Sequence, residues 1–163
     1  MGRLSEIERF WSYVVKGPDA GDCWLWSGAV ADDGYGRFWT AKPGGGQRIM
    51  RPQRFSWREL TGDDLPPSVL LLHNCDIPLC VHVEVDVQLS HLRPGTSLEN
   101  QADAARRGRH ANRFTSERFA TLPRAERARR SRALRDAVRD YGWDRDRISV
   151  ALAGAGEGAA TLF

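Results

Sequence analysis

Two cysteines, a histidine and an aspartate lie close together in the stretch LLLHNCDIPLC, residues 70–80. Cys75 and Cys80 lack the C-x-x-C spacing of thiol redox pairs, and no βαβ pattern surrounds them, so we exclude a redox function. A structural zinc site needs four ligands, usually thiolates and imidazoles. Cys23 and His91 complete a Cys3His set, which uses every cysteine of the chain. The alternative is that Cys23 is an ordinary small buried residue.

A second group of polar residues has the types that hydrolytic chemistry uses. His73 ends a predicted strand, and Asn100 lies on a predicted helix. A neutral imidazole can take a proton from water, while a divalent ion held by an amide oxygen stabilises a leaving oxygen. These are the groups that a metal-assisted phosphodiester hydrolase needs. The competing interpretation is that His73, which follows an apolar run, is structural.

The first half of the chain contains the elements that must bring these residues together. Apolar positions three to four apart predict an amphipathic helix over residues 4–16, with Ser5 and Glu8 as its cap. Residues 53–62 predict a short helix that stops at Gly62. Between them, β-prone runs alternate with glycine-rich turns and predict a small antiparallel meander. Its three strands are residues 23–26, 35–40 and 48–50.

The elements around the candidate site follow from shorter patterns. Residues 69–72 predict a strand, and the strict alternation of apolar and polar residues over 81–89 predicts a half-buried strand or hairpin arm. Thr96 and Glu99 form the capping box of a helix that we expect to end at Gly108. The inward face of this helix is predicted to carry three apolar residues, namely Leu98, Ala102 and Ala105.

Positive charge is concentrated in the last third of the chain. The net charge is +3, but residues 101–147 contain 14 Arg against 7 Asp or Glu. Two helices are predicted there, one begun by Pro123 and a second short one after the turn at residues 141–143. Such a basic block suits phosphate backbones. The alternatives are a solvated helix with internal ion pairs, or an arm that packs on the core or on a second subunit.

Length and composition limit the class of protein. The 163 residues allow one domain, or a small core with an appendage. No apolar stretch reaches membrane-spanning length, and the first residues do not resemble a secretory signal. Three cysteines do not describe a disulfide framework. We therefore expect an intracellular protein, without a membrane partner.

Several motifs together resemble a known family. LLHNCDIPLCV and SHLRPGTSLENQADAARRGR are similar to the pattern of HNH endonucleases related to the His-Cys box homing enzymes, members of the ββα-metal nuclease superfamily. The upstream ERFWSYVVKGPDAGDCWLWSGAVADDGYGRFW resembles the segment that opens many phage-borne and mobile-element members. The similarity covers about residues 8–110.

The resemblance implies a fold and a role for each candidate residue. It implies an α+β fold: a zinc-stabilised antiparallel β meander with a ββα-metal nuclease motif over residues 1–110, and a C-terminal helical extension over residues 111–163. His73 would activate water, Asn100 would ligate the catalytic Mg2+ or Mn2+, and Arg54 would contact the scissile phosphate. The structural zinc would bind Cys23, Cys75, Cys80 and His91. Contacts to double-stranded DNA are expected from Arg37, Arg51, Arg54, Arg106, Arg107 and Arg109.

The implied activity is DNA endonuclease cleavage that leaves 5′-phosphate and 3′-hydroxyl ends, of the homing type and carried out by a homodimer. A restriction endonuclease and a catalytically inactive zinc-stabilised DNA-binding module are the alternatives. The chain departs from the family pattern after Cys80, where several residues are inserted. Because of this insertion, either His82 or His91 could close the zinc site. Gln53 stands where the family usually has a histidine before the arginine, and Ile77 replaces a usual asparagine.

Overall fold

A computed structural model describes residues 4–109 and 122–154 of the chain, and it has an α+β fold with small antiparallel sheets. Among the described residues, no helix is both long and apolar enough to span a membrane. Within the described ranges, five helices and six strands follow one another in the order α1 (Glu6–Trp11), β1 (Val14–Lys16), β2 (Trp24–Trp26), β3 (Phe38–Ala41), β4 (Gln47–Met50), α2 (Pro52–Thr61), β5 (Leu70–His73), β6 (Leu92–Gly95), α3 (Ser97–Arg109), α4 (Arg124–Tyr141) and α5 (Arg145–Ala153).

The strands form three separate antiparallel pairs, β1 with β2, β3 with β4, and β5 with β6. The predicted three-stranded meander is therefore wrong in its first strand, because β2 pairs with β1 and not with β3. The helix predicted over residues 4–16 is also too long. It keeps its capping box of Ser5 and Glu8 but ends at Trp11. The β-branched residues Val14 and Val15 pair with β2 instead, since pairing across strands outweighs helical spacing.

Aromatic side chains form the main core. Phe10 of α1 lies 4.4 Å from the ring of Phe55 in α2 and 5.4 Å from that of Trp26 in β2, measured between ring centroids. Leu134 and Val138 of α4 are buried in the same cluster. The structure thus shows the C-terminal helix α4 packed on the core, and it also shows ion pairs within this helix. Contact with DNA or with a second subunit stays a prediction. Large rings dominate such a core because each buries much apolar area.

The segment 81–91 is not the strand that its alternation predicts. Val81 and Val83 are buried, but Val85 is 84% exposed and the chain turns around Asp86, whose main-chain oxygen accepts from the N–H of Ser90. A straight strand of eleven residues would separate its ends by about 35 Å. Since Cys80 and His91 meet in one cluster, the segment must fold back on itself.

Helix α3 also presents a different face from the predicted one. Leu98 is 76% exposed and Ala105 is exposed, whereas Asp103 forms an ion pair of 2.5 Å with Arg93 of β6. This ion pair turns the polar side of α3 towards the β5–β6 hairpin. The expected apolar inward face is therefore wrong, and the helix continues through Gly108 to Arg109 instead of ending at the glycine.

Candidate functional site: a Cys3His cluster beside His73

The four predicted zinc ligands come together in the structure. The donor atoms of Cys23, Cys75, Cys80 and His91 all lie within 4.8 Å of one another. Nδ1 of His91 is 3.3 Å from Sγ of Cys23 and 3.5 Å from Sγ of Cys80. Tetrahedral zinc with its usual bond lengths places such sulfur and nitrogen atoms about 3.5 Å apart. The residue types and their spacing therefore fit a metal ion such as zinc.

Three separate segments of the chain carry these ligands. Cys23 directly precedes β2. A β-bridge between Leu25 of β2 and Cys80 joins this strand to the segment that contains Cys75 and Cys80. Cys75 follows β5 in a tight turn, where Asp76 adopts a left-handed φ of 60°. Aspartate tolerates this conformation better than most residues. His91 precedes β6, so the cluster joins the ends of the β5–β6 hairpin to β2.

The pKa shifts of the cluster residues favour a negatively charged sulfur, which could bind a cation. Hydrogen bonds from Cys23 and Cys80 hold the pKa of the Cys75 thiol far below its usual value. Burial raises the pKa of Cys80, and a hydrogen bond with Cys75 raises that of His91. Three thiols and an imidazole packed this closely favour placing negative charge on one sulfur. The thiolate is the form that binds metal.

His82, the alternative fourth ligand, is placed behind the cluster and not in it. Its Nδ1 is 2.7 Å from the main-chain oxygen of Asp22, and its Nε2 is 3.2 Å from a carboxylate oxygen of Glu84. Its fully buried ring stacks on Trp24, with centroids 4.3 Å apart, and lies 4.4 Å from the ring of His91. Both nitrogens of His82 lie within hydrogen-bonding distance of protein oxygens. The ring of His82 therefore packs against His91, and His91 is the histidine of the cluster.

His73 ends β5 beside this cluster. Its Nε2 lies 3.1 Å from the main-chain oxygen of Cys80. Because a carbonyl oxygen can only accept, Nε2 carries the proton and donates it, and Nδ1 is the nitrogen that can accept one. Burial lowers the pKa of this histidine. The ring of Tyr35 lies 6.1 Å away between centroids.

Asn100 lies on α3, which follows β6 after a single residue. The start of α3 is fixed by the predicted capping box, in which Glu99 accepts hydrogen bonds from the N–H and hydroxyl of Thr96 and the hydroxyl accepts from the N–H of Glu99. The side chain of Asn100 is exposed to solvent. It lies one turn before Asp103, the residue that ties α3 to β6. An exposed amide oxygen of this kind is a hard ligand of the type that Mg2+ accepts.

The two arginines at the start of α2 have different surroundings. Arg54 donates to three main-chain oxygens of the segment before β5: Nη1 to Val69 at 2.8 Å, and Nη2 to Leu65 and Pro66. It therefore holds that segment in place. Arg51 is 41% exposed and forms an ion pair of 2.5 Å with Asp33. The role of Arg54 as a phosphate contact stays a prediction.

The remaining arginines with predicted DNA contacts lie at the surface or beyond what is described. Arg37 and Arg106 are exposed. Arg107 and Arg109 belong to α3, but their side chains fall outside the described part of the structure.

Two residues near the site were not singled out in the sequence. Tyr35 lies between His73 and Arg51, whose guanidinium is 5.3 Å from the tyrosine ring centroid. Burial is the largest cause that raises the pKa of Tyr35. Asp33 accepts hydrogen bonds from Arg51, and its main-chain oxygen accepts one from Arg127 of α4. The run DDGYGR is the only sequence feature that contains both residues, and the same run is equally typical of a turn.

Comparison with known proteins gives two phage relatives. The chain is 32% identical over 90 residues to "Protein 7.7" and 33% identical over 87 residues to "Protein 2.8", both of Escherichia phage T7. These stretches cover 55% and 53% of this chain, and 60% and 52% of the two relatives. The chain thus matches between about half and three fifths of the length of each relative. No protein-family profile and no solved structure matches the chain.

Proposed function

We propose that the protein is a metal-dependent DNA endonuclease of the HNH type, stabilised by a zinc ion. The observation that carries the proposal is the convergence of Cys23, Cys75, Cys80 and His91 within 4.8 Å at the hairpin that also carries His73. The order of β5, β6 and α3 supports a ββα-metal arrangement, since the antiparallel hairpin is followed directly by the helix with Asn100. Similarity to two phage proteins fits the phage-borne type.

In the proposed mechanism, His73 is the general base. The hydrogen bond from Nε2 to the Cys80 oxygen fixes the ring, and the neutral imidazole takes a proton from water. The water oxygen forms a bond to phosphorus as the bond from phosphorus to the 3′-oxygen breaks. The products are a 5′-phosphate and a 3′-hydroxyl. A divalent ion at Asn100 would neutralise the charge that develops on the leaving oxygen.

Arg51 fits the phosphate contact better than Arg54 does. The guanidinium of Arg54 donates to carbonyl oxygens of its own chain, whereas Arg51 is partly exposed and lies beside Tyr35, which contacts His73. The carboxylate of Asp33 accepts two hydrogen bonds from the guanidinium of Arg51. This ion pair fixes the position of Arg51 while part of its side chain stays exposed to solvent. We therefore place Arg51 next to the scissile phosphate.

Supercoiled plasmid provides the test. The zinc-loaded protein should convert it to nicked or linear forms when Mg2+ or Mn2+ is added, and it should leave 5′-phosphates that a ligase can seal. His73→Ala should keep its zinc and its fold but cut nothing. A wild-type protein that binds DNA without cutting under these conditions would support the inactive DNA-binding module instead. Undiminished cutting by His73→Ala would refute the proposed base.

A further inference from the structure

Tyr35 lies in a turn that helix α4 holds in place. Its N–H donates to a carboxylate oxygen of Asp33 at 3.1 Å. Nε of Arg127 in α4 donates to the main-chain oxygen of Asp33 at 2.7 Å. Gly34 has a φ of 89°, and a side chain at this position would come within 2.9 Å of the side chain of Arg127. The turn therefore lies directly against α4, and this contact fixes the backbone of Tyr35.

The ring of Tyr35 contacts two residues of the proposed active site. Its centroid is 6.1 Å from that of the His73 ring, with 39° between the two ring planes. The guanidinium of Arg51 is 5.3 Å from the same centroid. Asp33, which accepts from the N–H of Tyr35, also forms the ion pair with Arg51. Tyr35 thus lies beside both the proposed general base and the proposed phosphate contact.

The hydroxyl of Tyr35 is a donor without a hydrogen-bond partner in the described part of the chain. It is also not enclosed, since the buried polar atoms that lack a partner there belong to other side chains. Burial raises the pKa of this phenol, so it keeps its proton near neutral pH. Of the charged groups that act on it, Arg127 has the largest effect, ahead of Asp33, Arg51 and Asp76. A protonated donor with a cation as its strongest charged neighbour suits an anionic oxygen.

We propose that Tyr35 is a further catalytic residue, whose hydroxyl donates a hydrogen bond to a non-bridging oxygen of the scissile phosphate. The inference rests on the proposed nuclease function. Attack by water adds negative charge to the non-bridging oxygens, so a donor fixed in advance stabilises the transition state more than the bound substrate. Tyr35 keeps its own proton throughout, because the proton of the water goes to His73. Arg51 supplies positive charge to the same phosphate.

The variant Tyr35→Phe tests the hydroxyl alone, because the ring stays and no hydrogen bond to a described residue is lost. The zinc-loaded full chain is mixed with supercoiled plasmid and Mg2+, with protein in saturating excess so that the rate reports cleavage and not binding. We expect the nicking rate to fall about 100-fold, the usual loss for one donor to a developing negative charge. Kd for a fluorescent duplex library of random sequence, measured by anisotropy without Mg2+ or Mn2+, should stay within about twofold of the wild type, since the contact strengthens only during the reaction.

The two other tyrosines of the chain, Tyr13 and Tyr141, provide matched controls. Both are partly exposed; Tyr13 packs on Trp26, and Tyr141 packs against Arg147. Tyr13→Phe and Tyr141→Phe remove the same hydroxyl elsewhere and should nick plasmid within about twofold of the wild-type rate. Zinc content and thermal unfolding should match the wild type in all three phenylalanine variants. Tyr35→Leu, which also removes the ring beside His73, should be at least as slow as Tyr35→Phe.

The outcomes separate this inference from the nuclease proposal. Wild-type nicking by Tyr35→Phe overturns the role of the hydroxyl and leaves the nuclease proposal intact, even if Tyr35→Leu is slow, because the ring alone would then matter. A loss of rate that disappears at saturating protein, or one that accompanies loss of zinc or of thermal stability, also overturns the catalytic role. Plasmid left intact by the wild type with Mg2+ or Mn2+ overturns both proposals.

Discussion

Nε2 of His73 donates a hydrogen bond to the main-chain oxygen of Cys80, 3.1 Å away, so the proposed general base is oriented by the backbone of a residue of the Cys3His cluster. The hairpin β5–β6 and the metal cluster are therefore one structural unit. In the proposed function, a zinc ion in the cluster would take no part in the chemical step. It would hold the oxygen that sets the tautomer of the histidine, so the proposal predicts that activity depends on metal content.

Substitution of His73 should remove activity and spare the fold. His73→Gln keeps a side-chain N–H that can donate to the Cys80 oxygen but has no group that can take a proton from water. We expect cleavage to fall by about 10² to 10⁴ in His73→Gln and His73→Ala, the usual contribution of a general base. Plasmid nicking rates and zinc content measure the two effects. Tyr141→Ala on α4 is the control, and a nicking rate for His73→Gln equal to that of this control would contradict the assignment.

Substitutions of His91 and His82 should have different effects on zinc binding. His91→Ala removes a donor from the cluster, so the purified protein should lose its zinc and unfold at a lower temperature, because metal binding contributes to folding. His82→Phe keeps the ring that stacks on Trp24. It should retain zinc with affinity lowered by no more than about 100-fold, the range for residues that support a ligand. Metal analysis and competition with a chelator measure both; zinc retained in His91→Ala but lost in His82→Phe would reverse the assignment.

Substitutions of Arg54 and Arg51 should have different effects, the first mainly on stability and the second mainly on the rate of cleavage. Arg54→Met removes three hydrogen bonds to main-chain oxygens and should lower the free energy of unfolding by about 2 to 3 kcal/mol. Arg51→Gln should slow cleavage and lower stability less than Arg54→Met does, because it loses only the partly exposed ion pair with Asp33. Denaturant unfolding and plasmid nicking are the measurements. A stable but inactive Arg54→Met, beside a fully active Arg51→Gln, would return the phosphate contact to Arg54.

Asp33 should make the protein more stable above the acid range. Burial opposes its ionisation, but hydrogen bonds from Arg51 and from the N–H of Tyr35 outweigh burial and lower its pKa. The folded state therefore binds this proton less readily than the unfolded state. The contribution is present above the unfolded pKa of about 3.9 and is lost as pH falls through the folded pKa.

The variant Asp33→Asn tests this dependence. It should be less stable than the wild type at neutral pH, and the difference should shrink as the pH falls through the acid range. Thermal unfolding measured over that range gives the comparison. A difference that stays constant with pH would show that the ionisation of Asp33 contributes nothing.

Residue types and local spacing determined a good part of the structure. Both capping boxes, the helix that ends at Gly62 and the long helix after Pro123 lie where they were predicted, because caps and breakers act within one turn. The members of the Cys3His cluster were also predicted, because few residue types bind zinc and the chain has only three cysteines. The α+β class that the resemblance implied agrees with the helices and small antiparallel sheets of the structure.

Tertiary structure decided what local patterns could not. The alternation at residues 81–89 indicated a strand, but closure of the metal cluster bends the chain back between Cys80 and His91. The choice of His91 over His82 depends on which ring reaches the thiols, a matter of distance and not of sequence spacing. Leu98 is exposed because the side of α3 that faces β6 is the one with Asp103, which pairs with Arg93. In each case a contact between distant segments outweighed a local preference, since packing energies exceed the small differences in propensity.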